Sequence, residues 1–477
     1  MAKRGPLELV KRLTGFVAVV VAVTLAVGVA PAQAAPPVGS PPGVATPWTS
    51  LMHGDVASTD STQLRGPGKT GHLAASSVPG GVCAATFVGT DGYPVSLCTS
   101  YLAGDPPQVA TPVVTLFQPD SAKVLATLPL TKGGLLGGVY GYLDEKNRVV
   151  IADGSGAVLH VGHHRTPNGW KLSIDRRVDI SKRIGNDQVT GLAPDFDGRI
   201  WFVTTKGAVG TIAPNGRVAA NRLPTGERLG NGLTIRRDGA SVLTTHALYE
   251  MRAGGDGVPH TVWRRVYDRG PARKPGQLTW GSGTTPTYFG PGGDSWVAIV
   301  DNANAPRLHV LNADTGAPVC SMRAFTRSRQ GTENSPMAWG ESLVIPSTYG
   351  YQYPPMAVTG PSRPANAPFT GAMTRIDVVG GKCTRVWENY RDRMATLPRL
   401  SRADGLIHGL AYGPYRPGPQ QVGSVNYVGV DFRTGARVVT RKIGDAPVDE
   451  PMQLTGMIGP GGVLWQGTVT RMLKIAP

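Results

Sequence analysis

Two stretches of this chain repeat one pattern of apolar, polar and turn residues, and the repetition limits the folds that the chain can adopt. Residues 185–212 read GNDQVTGLAPDFDGRIWFVTTKGAVGTI, and residues 230–251 read GNGLTIRRDGASVLTTHALYEM. In each, a short apolar run precedes a turn of Asp, Gly or Asn, an alternating strand such as 199–204, and a second turn before another strand. Similar units recur every ~40–60 residues, which is the interval of a β-propeller blade.

Packing such units around a common axis explains why they repeat. A single four-stranded unit cannot bury both of its faces, whereas blades packed face to face do so and leave only short sheet edges. The chain has 64 glycines, 41 prolines and only 17% charged residues, which suits many short strands joined by tight turns. We therefore predict an all-β fold, a β-propeller of four-stranded antiparallel blades. Eight blades fit the sequence best, and seven is the alternative.

The predicted units lie at 82–129, 134–180, 186–224, 230–268, 281–325, 333–390, 397–444 and 450–477. Because the last unit has room for three strands, we expect a strand from residues 48–75 to complete it and close the ring. Residues 48–477 are thus expected to form a single propeller domain, behind a Pro/Gly-rich flexible tether at 35–47. Inserts at 269–280 and 353–370 are interpreted as long loops on the propeller faces.

The N-terminal residues 1–34 have the pattern of a signal peptide. A basic start is followed by an apolar run and then by Ala32-Gln33-Ala34, a small-x-small cleavage signal. A retained membrane anchor would need a longer apolar span. We therefore expect a secreted chain, extracellular or associated with the cell wall, that is monomeric and keeps no transmembrane segment after removal of the signal.

Four cysteines are present, an even number that favours disulfides in an oxidising compartment. Three pairings are possible. The spacing of Cys83 and Cys98 suits neighbouring strands of one hairpin, and Cys320 and Cys383 fall at similar places in successive repeats. A zinc site would favour closer pairs of cysteines, which the sequence lacks.

The chain carries a formal net charge of +16, but the charge is distributed in scattered pairs such as Arg176-Arg177 and Arg264-Arg265. Specific nucleic-acid binding favours a dense basic stripe with interleaved aromatic residues. The sequence therefore argues against a specific nucleic-acid partner. Loose attraction to an anionic cell-envelope polymer is the simpler expectation.

Two phrases, LHVLNADTGAPV (308–319) and VGVDFRTGARVV (428–439), resemble the outer hairpin of the quinoprotein-type propeller repeat. The segment PWTSLMHGDVASTDSTQLRGPG (47–68) is similar to the way such exported propellers begin. The chain thus resembles secreted quinoprotein-like (PQQ-like) β-propellers of actinobacteria. The resemblance implies the fold and carries no characterised activity across.

Quinone-cofactor alcohol dehydrogenases of this architecture use an adjacent Cys-Cys pair beside the cofactor, and this chain has none. One further blade, beginning DGRIWFVTTKGAVG, is similar to the repeat of streptogramin lyases, which supports the fold more than an activity.

Polar residues at the start of each innermost strand are predicted to converge on the propeller axis. The candidate ligand-binding residues are Asp187, Gln188, Asn231, Thr285, Glu333, Asn334 and, from an exposed-looking aromatic cluster, Tyr351. Thr284 and Glu450 occupy similar positions, and residues after the first turns could edge the funnel, namely Asp153, His246, Asp301, Asn302, Tyr349 and His408.

Three interpretations of this constellation remain open. The polar groups can satisfy one another and a column of water, they can hold a ligand, or they can support catalysis. Oxygen atoms of Asp187, Asn231, Glu333 and Asn334 could coordinate a hard cation such as Ca²⁺. The expected function is therefore binding of a small polar ligand, glycan or protein at the central funnel. The alternative is an enzyme on the same scaffold, either a cation-dependent lactonase or lyase, or a sugar or alcohol oxidoreductase. No residue is assigned a catalytic role, and no cofactor beyond Ca²⁺ is suggested.

Overall fold

The computed structural model describes Met1 and residues 39–45, 51–77, 82–99, 110–133, 140–413 and 423–477, without the side chains of 75–77. Ala35–Pro477 form one unit. The predicted signal peptide, apart from Met1, and part of the predicted tether lie outside the described residues. Within the described ranges, no helix has the length and apolar character needed to cross a membrane.

The described chain folds into eight antiparallel sheets, which we name blades A to H in chain order. Two strands precede them, β1 (Ser61–Thr62) and β2 (His72–Ser77). Blade A contains β3 (Val82–Val88), β4 (Pro94–Thr99), β5 (Val113–Phe117) and β6 (Val124–Pro129), and blade B contains β7 (Tyr142–Leu143), β8 (Val149–Asp153), β9 (Ala157–Thr166) and β10 (Gly169–Asp179). Blade C contains β11 (Val189–Pro194), β12 (Ile200–Thr204), β13 (Ala208–Ile212) and β14 (Val218–Arg222). Blade D contains β15 (Leu233–Arg236), β16 (Gly239–Leu243), β17 (Ala247–Ala253) and β18 (Pro259–Val266).

Blade E contains β19 (Thr287–Phe289), β20 (Trp296–Val300), β21 (Arg307–Asn312) and β22 (Pro318–Arg323), and blade F contains β23 (Met337–Trp339), β24 (Ser342–Pro346), β25 (Met373–Val379) and β26 (Lys382–Asn389). Blade G contains β27 (Arg399–Ser401), β28 (Leu406–Tyr412), β29 (Ser424–Asp431) and β30 (Arg437–Asp445). Blade H contains β31 (Met457–Gly459), β32 (Val463–Gly467) and β33 (Arg471–Ala476). The described helices are short: α1 (Ser181–Ile184) and the 3₁₀ turns Pro291–Gly293, Pro355–Ala357 and Pro460–Gly462.

This arrangement confirms the prediction of an eight-bladed propeller with four-stranded antiparallel blades. The first strands of successive blades contact one another, as β11 contacts β15 and β15 contacts β19, so they surround the axis. Blade H takes its fourth, outermost strand from the N-terminal part of the chain, because β2 pairs with β33 from His72↔Ala476 to Ser77↔Arg471. The ring is therefore closed by an N-terminal strand, as expected.

Burial along the strands shows where the core lies. Every residue of β12 (Ile200–Thr204) is buried, because both faces of an inner strand pack against neighbouring blades. In the outermost strand β18 (Pro259–Val266), most residues are half-buried or exposed. The core therefore lies between the blades, and the polar residues of each repeat collect at its outer edge.

The Thr-Gly turns that carried the family resemblance join neighbouring blades. In blade E the Asn312 side-chain oxygen accepts hydrogen bonds from the amide and hydroxyl of Thr315, and Gly316 follows at φ 66°. Trp263 of blade D packs on this turn and donates from Nε1 to the carbonyl of Ala313 at 2.8 Å. A Cβ on Gly316 would lie 2.7 Å from the Trp263 ring, so only glycine fits there.

The same contact recurs between blades F and G. Trp387 Nε1 donates to the carbonyl of Phe432 at 2.9 Å, and a Cβ on Gly435 would lie 2.6 Å from the Trp387 ring. The turn motif in the sequence is thus a docking site for a tryptophan of the preceding blade.

A segment that we call the axial segment, residues 51–62, runs across the centre of the ring. Its carbonyl groups accept hydrogen bonds from the innermost strands of four successive blades: Val56 from Ile235, Ala57 from Tyr288, Thr59 from Ala338 and Asp60 from Leu400. Its end, β1, pairs in parallel with β27 of blade G. The axial segment therefore fills the middle of the channel and satisfies strand edges that would otherwise face the axis.

The two predicted inserts lie against each other. The Thr359 amide donates to the carbonyl of Leu278 at 2.8 Å, and the Arg363 amide donates to the carbonyl of Arg273 at 2.9 Å. We call residues 269–280 and 353–363 the lid. The Asn302 side chain anchors the lid to blade E by donating to the carbonyls of Arg269 and Ala272.

Both predicted disulfides are confirmed. Cys83 and Cys98 join β3 to β4 within blade A, and Cys320 and Cys383 join the outermost strands of blades E and F. The second bond therefore links two blades across 63 residues of sequence.

Removing this inter-blade link is expected to destabilise the ring. The double variant Cys320→Ala, Cys383→Ala should lose roughly 2–4 kcal/mol in free energy of unfolding, because the open chain gains conformational freedom in the unfolded state. Chemical denaturation followed by tryptophan fluorescence measures the loss relative to the parent protein with both disulfides intact. A loss below about 1 kcal/mol would show that packing alone holds blades E and F together.

Candidate functional site

A cavity of about 160 Å³ lies on the propeller axis, between the axial segment and the lid. Its floor includes Met52 and His53 of the axial segment, and its cover includes Leu278 and Tyr353 of the lid. The starts of the innermost strands and the loops before them form the wall. The polar residues of this wall include Tyr140, Gln188, Asn231, Thr285, Glu333, Asn334, Gln453 and Thr455.

Five of the seven residues proposed from the sequence as ligand contacts line this cavity, namely Gln188, Asn231, Thr285, Glu333 and Asn334. They come together because the chain enters each innermost strand from the same face of the ring. Their side chains therefore approach the axis although they belong to four different blades. Whether they bind a ligand stays a prediction.

Asp187 and Tyr351 lie elsewhere. The Asp187 carboxylate accepts hydrogen bonds from the backbone amides of Gln188 and Lys206 at 2.8–3.1 Å, which commits it to the turn between β12 and β13. Tyr351 is buried, in contrast to the exposed position expected, and its hydroxyl donates to Glu450 at 3.0 Å. Its neighbour Tyr353 reaches the cavity instead.

Most of the secondary candidates have partners of their own. Glu450 accepts from the hydroxyls of Tyr351 and Tyr412 and from the amide of Met452. The remaining candidates are hydrogen-bonded in the blades or in the lid, namely His246, Thr284, Asp301, Asn302 and His408. Tyr349 is buried. Asp153 is the member of this group that lines the cavity.

Of the four oxygen donors predicted for Ca²⁺, three line the cavity, and Asp187 is the one held by backbone amides. Within the described ranges there is no group of three or more His, Cys, Asp or Glu side chains placed to hold a metal ion. A calcium site stays a prediction. Among the four predicted donors, Glu333 is the carboxylate that lines the cavity.

Glu333 is the most perturbed acid of the cavity. Both carboxyl oxygens are buried and lack a hydrogen-bond partner of normal geometry. Burial raises the pKa of Glu333 from 4.5 to about 8, while the Leu278 amide and the Arg273 charge oppose the shift. Gly283 makes room for the carboxyl, since a Cβ there would lie 2.2 Å from Oε2. At neutral pH this side chain is therefore a neutral acid that can donate a proton.

A second buried group of the cavity, His53, is not among the residues proposed from the sequence. His53 is 6% exposed, and its Nδ1 donates to the two oxygens of Asp60 at 2.9 and 3.0 Å. Asp60 is fully buried and also accepts from Arg399 Nη1 at 2.5 Å. The other ring nitrogen, His53 Nε2, is buried without a partner. With Nδ1 engaged by Asp60, Nε2 is the ring nitrogen left for another partner.

The amides of the wall are oriented by the protein. Asn231 Nδ2 donates to the carbonyl of Gly283 at 2.6 Å. Asn334 Nδ2 donates to Gln453 Oε1 at 3.1 Å, and Gln453 Nε2 donates to the carbonyl of Met394. Since both asparagine NH₂ groups are engaged, the Asn231 and Asn334 side chains present their oxygens as acceptors.

Tyr140 lines the cavity and contacts the ring of His53. Its ring centroid lies 5.7 Å from that of His53, and its hydroxyl is hydrogen-bonded to the side chain of Thr285 and the backbone of Gly232. Burial raises the pKa of Tyr140 to about 12, and the negative charges of Glu333 and Asp60 add to the shift. The tyrosine therefore stays protonated and forms part of the cavity wall.

Comparison with known proteins supports the fold and leaves the activity open. No protein-family model matches the chain. An uncharacterized protein of Archaeoglobus fulgidus is 22% identical over 335 residues, which are 64% of this chain and 64% of that protein. The chain thus spans about 64% of the length of this curated relative.

Among solved structures, the quinohemoprotein alcohol dehydrogenase from Comamonas testosteroni is similar with a TM-score of 0.54 and 10% identity, over 91% of this chain and 81% of that one. BamB from Moraxella catarrhalis is similar with a TM-score of 0.43 and 14% identity, over 73% of this chain and 87% of that one. The first likeness is to another β-propeller fold. At this identity it shows the fold alone.

Loss of the charge on Asp60 is expected to be costly. The variant Asp60→Asn leaves the Arg399 guanidinium, 1% exposed, without its closest counter-charge, so the free energy of unfolding should fall by about 3–5 kcal/mol. Asp197→Asn is the matched control, because that carboxylate pairs with Arg199 at the surface, and its loss should stay within about 1 kcal/mol. Urea denaturation measures both, and equal effects would contradict the role assigned to the buried pair.

The raised pKa of Glu333 predicts a pH-dependent stability. The folded protein binds the Glu333 proton more tightly than the unfolded chain does, so protonation of Glu333 stabilises the fold. This contribution to the free energy of unfolding is complete below pH 4.5 and is lost as pH rises to about 8. Between pH 5 and 9 the parent protein should therefore lose roughly 2 kcal/mol or more relative to Glu333→Gln, which cannot ionise. Parallel denaturation curves across this range test the prediction. An unchanged difference between the two proteins would contradict it.

Proposed function

We propose that the chain is a secreted propeller that binds a small, uncharged, polyhydroxylated molecule, a sugar or a sugar derivative, in the axial cavity. The observation that carries the proposal is the presence of two buried polar groups in the lining of one cavity: His53 Nε2 has no partner, and the Glu333 carboxyl has none of normal geometry. Leaving such groups unpaired costs roughly 1–3 kcal/mol each. A ligand that pairs with them recovers this free energy on binding.

The chemistry of the lining favours an uncharged ligand with hydroxyl groups. Glu333 is neutral at pH 7, and the two other ionisable carboxyl or amino groups of the lining, Lys132 and Asp153, have opposite charges. His53 Nε2 and the oxygens of Asn231 and Asn334 act as acceptors, which match hydroxyl donors.

The apolar part of the lining suits the carbon skeleton of such a ligand. Leucine, methionine and proline side chains contribute to the floor, the cover and the wall, among them Met52, Leu278, Pro354, Leu397, Met452 and Leu454. A sugar ring has polar edges and apolar C–H faces, so a cavity with a few oriented polar groups among apolar ones can hold it.

Secretion is part of the proposal. The N-terminal signal pattern supports export, and the two disulfides are consistent with an oxidising compartment. The net charge, +16 over the full sequence, would favour retention near anionic cell-envelope polymers.

Calorimetry with a panel of matched ligands tests the binding proposal. The panel contains neutral sugars and keto sugars, the sugar acid D-gluconate, the amino sugar D-glucosamine, and Ca²⁺. We expect a neutral member to bind best. Its affinity should fall at least tenfold in Glu333→Ala and also above about pH 8, where Glu333 loses the proton that it donates.

The variant Tyr351→Phe is the control, because Tyr351 is buried beside Glu450 and does not line the cavity. Its affinity should equal that of the parent protein. Binding that survives Glu333→Ala, or binding of Ca²⁺ alone, would overturn the proposed ligand class.

A further inference from the structure

We propose that the axial cavity is also an active site for proton transfer on a hydroxylated carbonyl compound, in which His53 is the base and Glu333 is the acid. This inference rests on the proposed function, because it assigns a reaction to the ligand bound in the same cavity. It concerns an activity that binding alone does not require.

The first supporting observation is that the base is oriented. The His53 ring is held through Nδ1 by the fully buried carboxylate of Asp60. Asp60 is itself fixed by Arg399, and it holds a left-handed backbone conformation at φ 48°. Arg399 is anchored in turn by Thr455 Oγ1 at 2.6 Å and by the carbonyl of Gly456 at 2.9 Å. This support fixes the ring with Nε2 as its free nitrogen, the arrangement that a general base requires.

The second observation is that acid and base lie on one cavity but are not paired with each other. Neither His53 Nε2 nor the Glu333 oxygens have a partner of normal geometry, so no hydrogen bond joins them directly. Tyr140 contacts the His53 ring and lies close enough to Glu333 for that charge to affect its pKa. His53 and Glu333 therefore line one cavity without being hydrogen-bonded to each other.

The reaction that this arrangement supports is enolisation. His53 Nε2 takes the proton from a carbon next to the substrate carbonyl, and the C–H electron pair forms the carbon–carbon double bond of an enediol. The carbonyl oxygen takes the proton of Glu333. His53 is then an imidazolium and Glu333 a carboxylate. In the second half of the reaction, the His53 imidazolium gives its proton to the former carbonyl carbon, and the Glu333 carboxylate takes the proton of the other hydroxyl. That hydroxyl becomes the new carbonyl, which gives the isomerised compound and restores both residues. No oxidant or reductant is needed.

The surroundings favour this class of reaction. A carboxylic acid kept neutral by an apolar site can stabilise a developing enolate oxygen through a strong hydrogen bond. Glu333 meets this condition, because burial keeps it protonated at pH 7. Asn231 and Asn334 would hold the hydroxyl groups that flank the reacting carbons.

Hydrogen exchange at carbon tests the activity directly. Dihydroxyacetone and D-erythrulose are first measured for binding by calorimetry, and the compound that binds is then incubated with the protein in D₂O. ¹H NMR follows loss of the carbon-bound hydrogens next to the carbonyl. We expect exchange at least 100-fold faster with the parent protein than with His53→Gln, which retains a hydrogen-bonding side chain but no base.

Two further variants separate catalysis from binding. Glu333→Gln should slow exchange at least tenfold while keeping affinity within about tenfold, because the amide can still donate a hydrogen bond but cannot transfer a proton. Tyr351→Phe should leave exchange unchanged, because its side chain lies outside the cavity.

Should His53→Gln fail to fold, the pH profile of the parent protein decides. Exchange should fall above about pH 8 as Glu333 ionises, and this fall should vanish in Glu333→Gln. The charged or titratable groups that act on Glu333 or sense its charge are Arg273, Tyr140 and Tyr353, and the two tyrosines titrate well above this range.

The outcomes distinguish the two proposals. Binding without accelerated exchange overturns the activity and leaves the binding function intact. Binding of neither compound, nor of any other member of the ligand panel, overturns both. Hydrolysis of D-glucono-1,5-lactone without exchange of the keto sugars would also overturn the proton transfer at carbon.

Discussion

The ring depends on the hydrogen bonds between the axial segment and the innermost strands. An innermost strand has one edge without a neighbouring strand, and unpaired backbone groups buried there would be unfavourable. The carbonyls of Val56, Ala57, Thr59 and Asp60 accept from four blades in succession and remove this cost. The same residues bring His53 to the floor of the cavity, so one stretch of chain stabilises the ring and supplies part of the site.

The architecture could be predicted because it follows from local patterns. Alternating strands, Asp-Gly and Thr-Gly turns and a constant spacing specify blades, and an incomplete last unit requires a strand from elsewhere. Convergence of the strand starts was also predictable, and it placed Gln188, Asn231 and Glu333 around one axis. What the sequence could not show was the register at the strand entries. Asp187 precedes Gln188 by one residue, and its carboxylate serves the β12–β13 turn instead of the cavity.

The histidine was missed for a different reason. In the sequence, the axial segment looks like a candidate strand for closing the ring, whereas it crosses the axis and β2 completes blade H. The pairing of His53 with Asp60 is local, but their burial depends on Arg399 in blade G, far along the chain. No pattern near position 53 indicates this partner. Likewise, Tyr351 and Tyr353 are two residues apart, and only the packing of the lid decides that Tyr353 faces the cavity.

Closure by β2 has a consequence for how the molecule is made. Since His72 pairs with Ala476, blade H joins segments from opposite ends of the sequence. A nascent chain emerging N-terminus first can assemble the intermediate blades as they appear, but it must wait for its final residues before the circle is complete. Until then, β2 is an unpaired strand edge, so a chaperone that covers it during synthesis would protect the chain against aggregation.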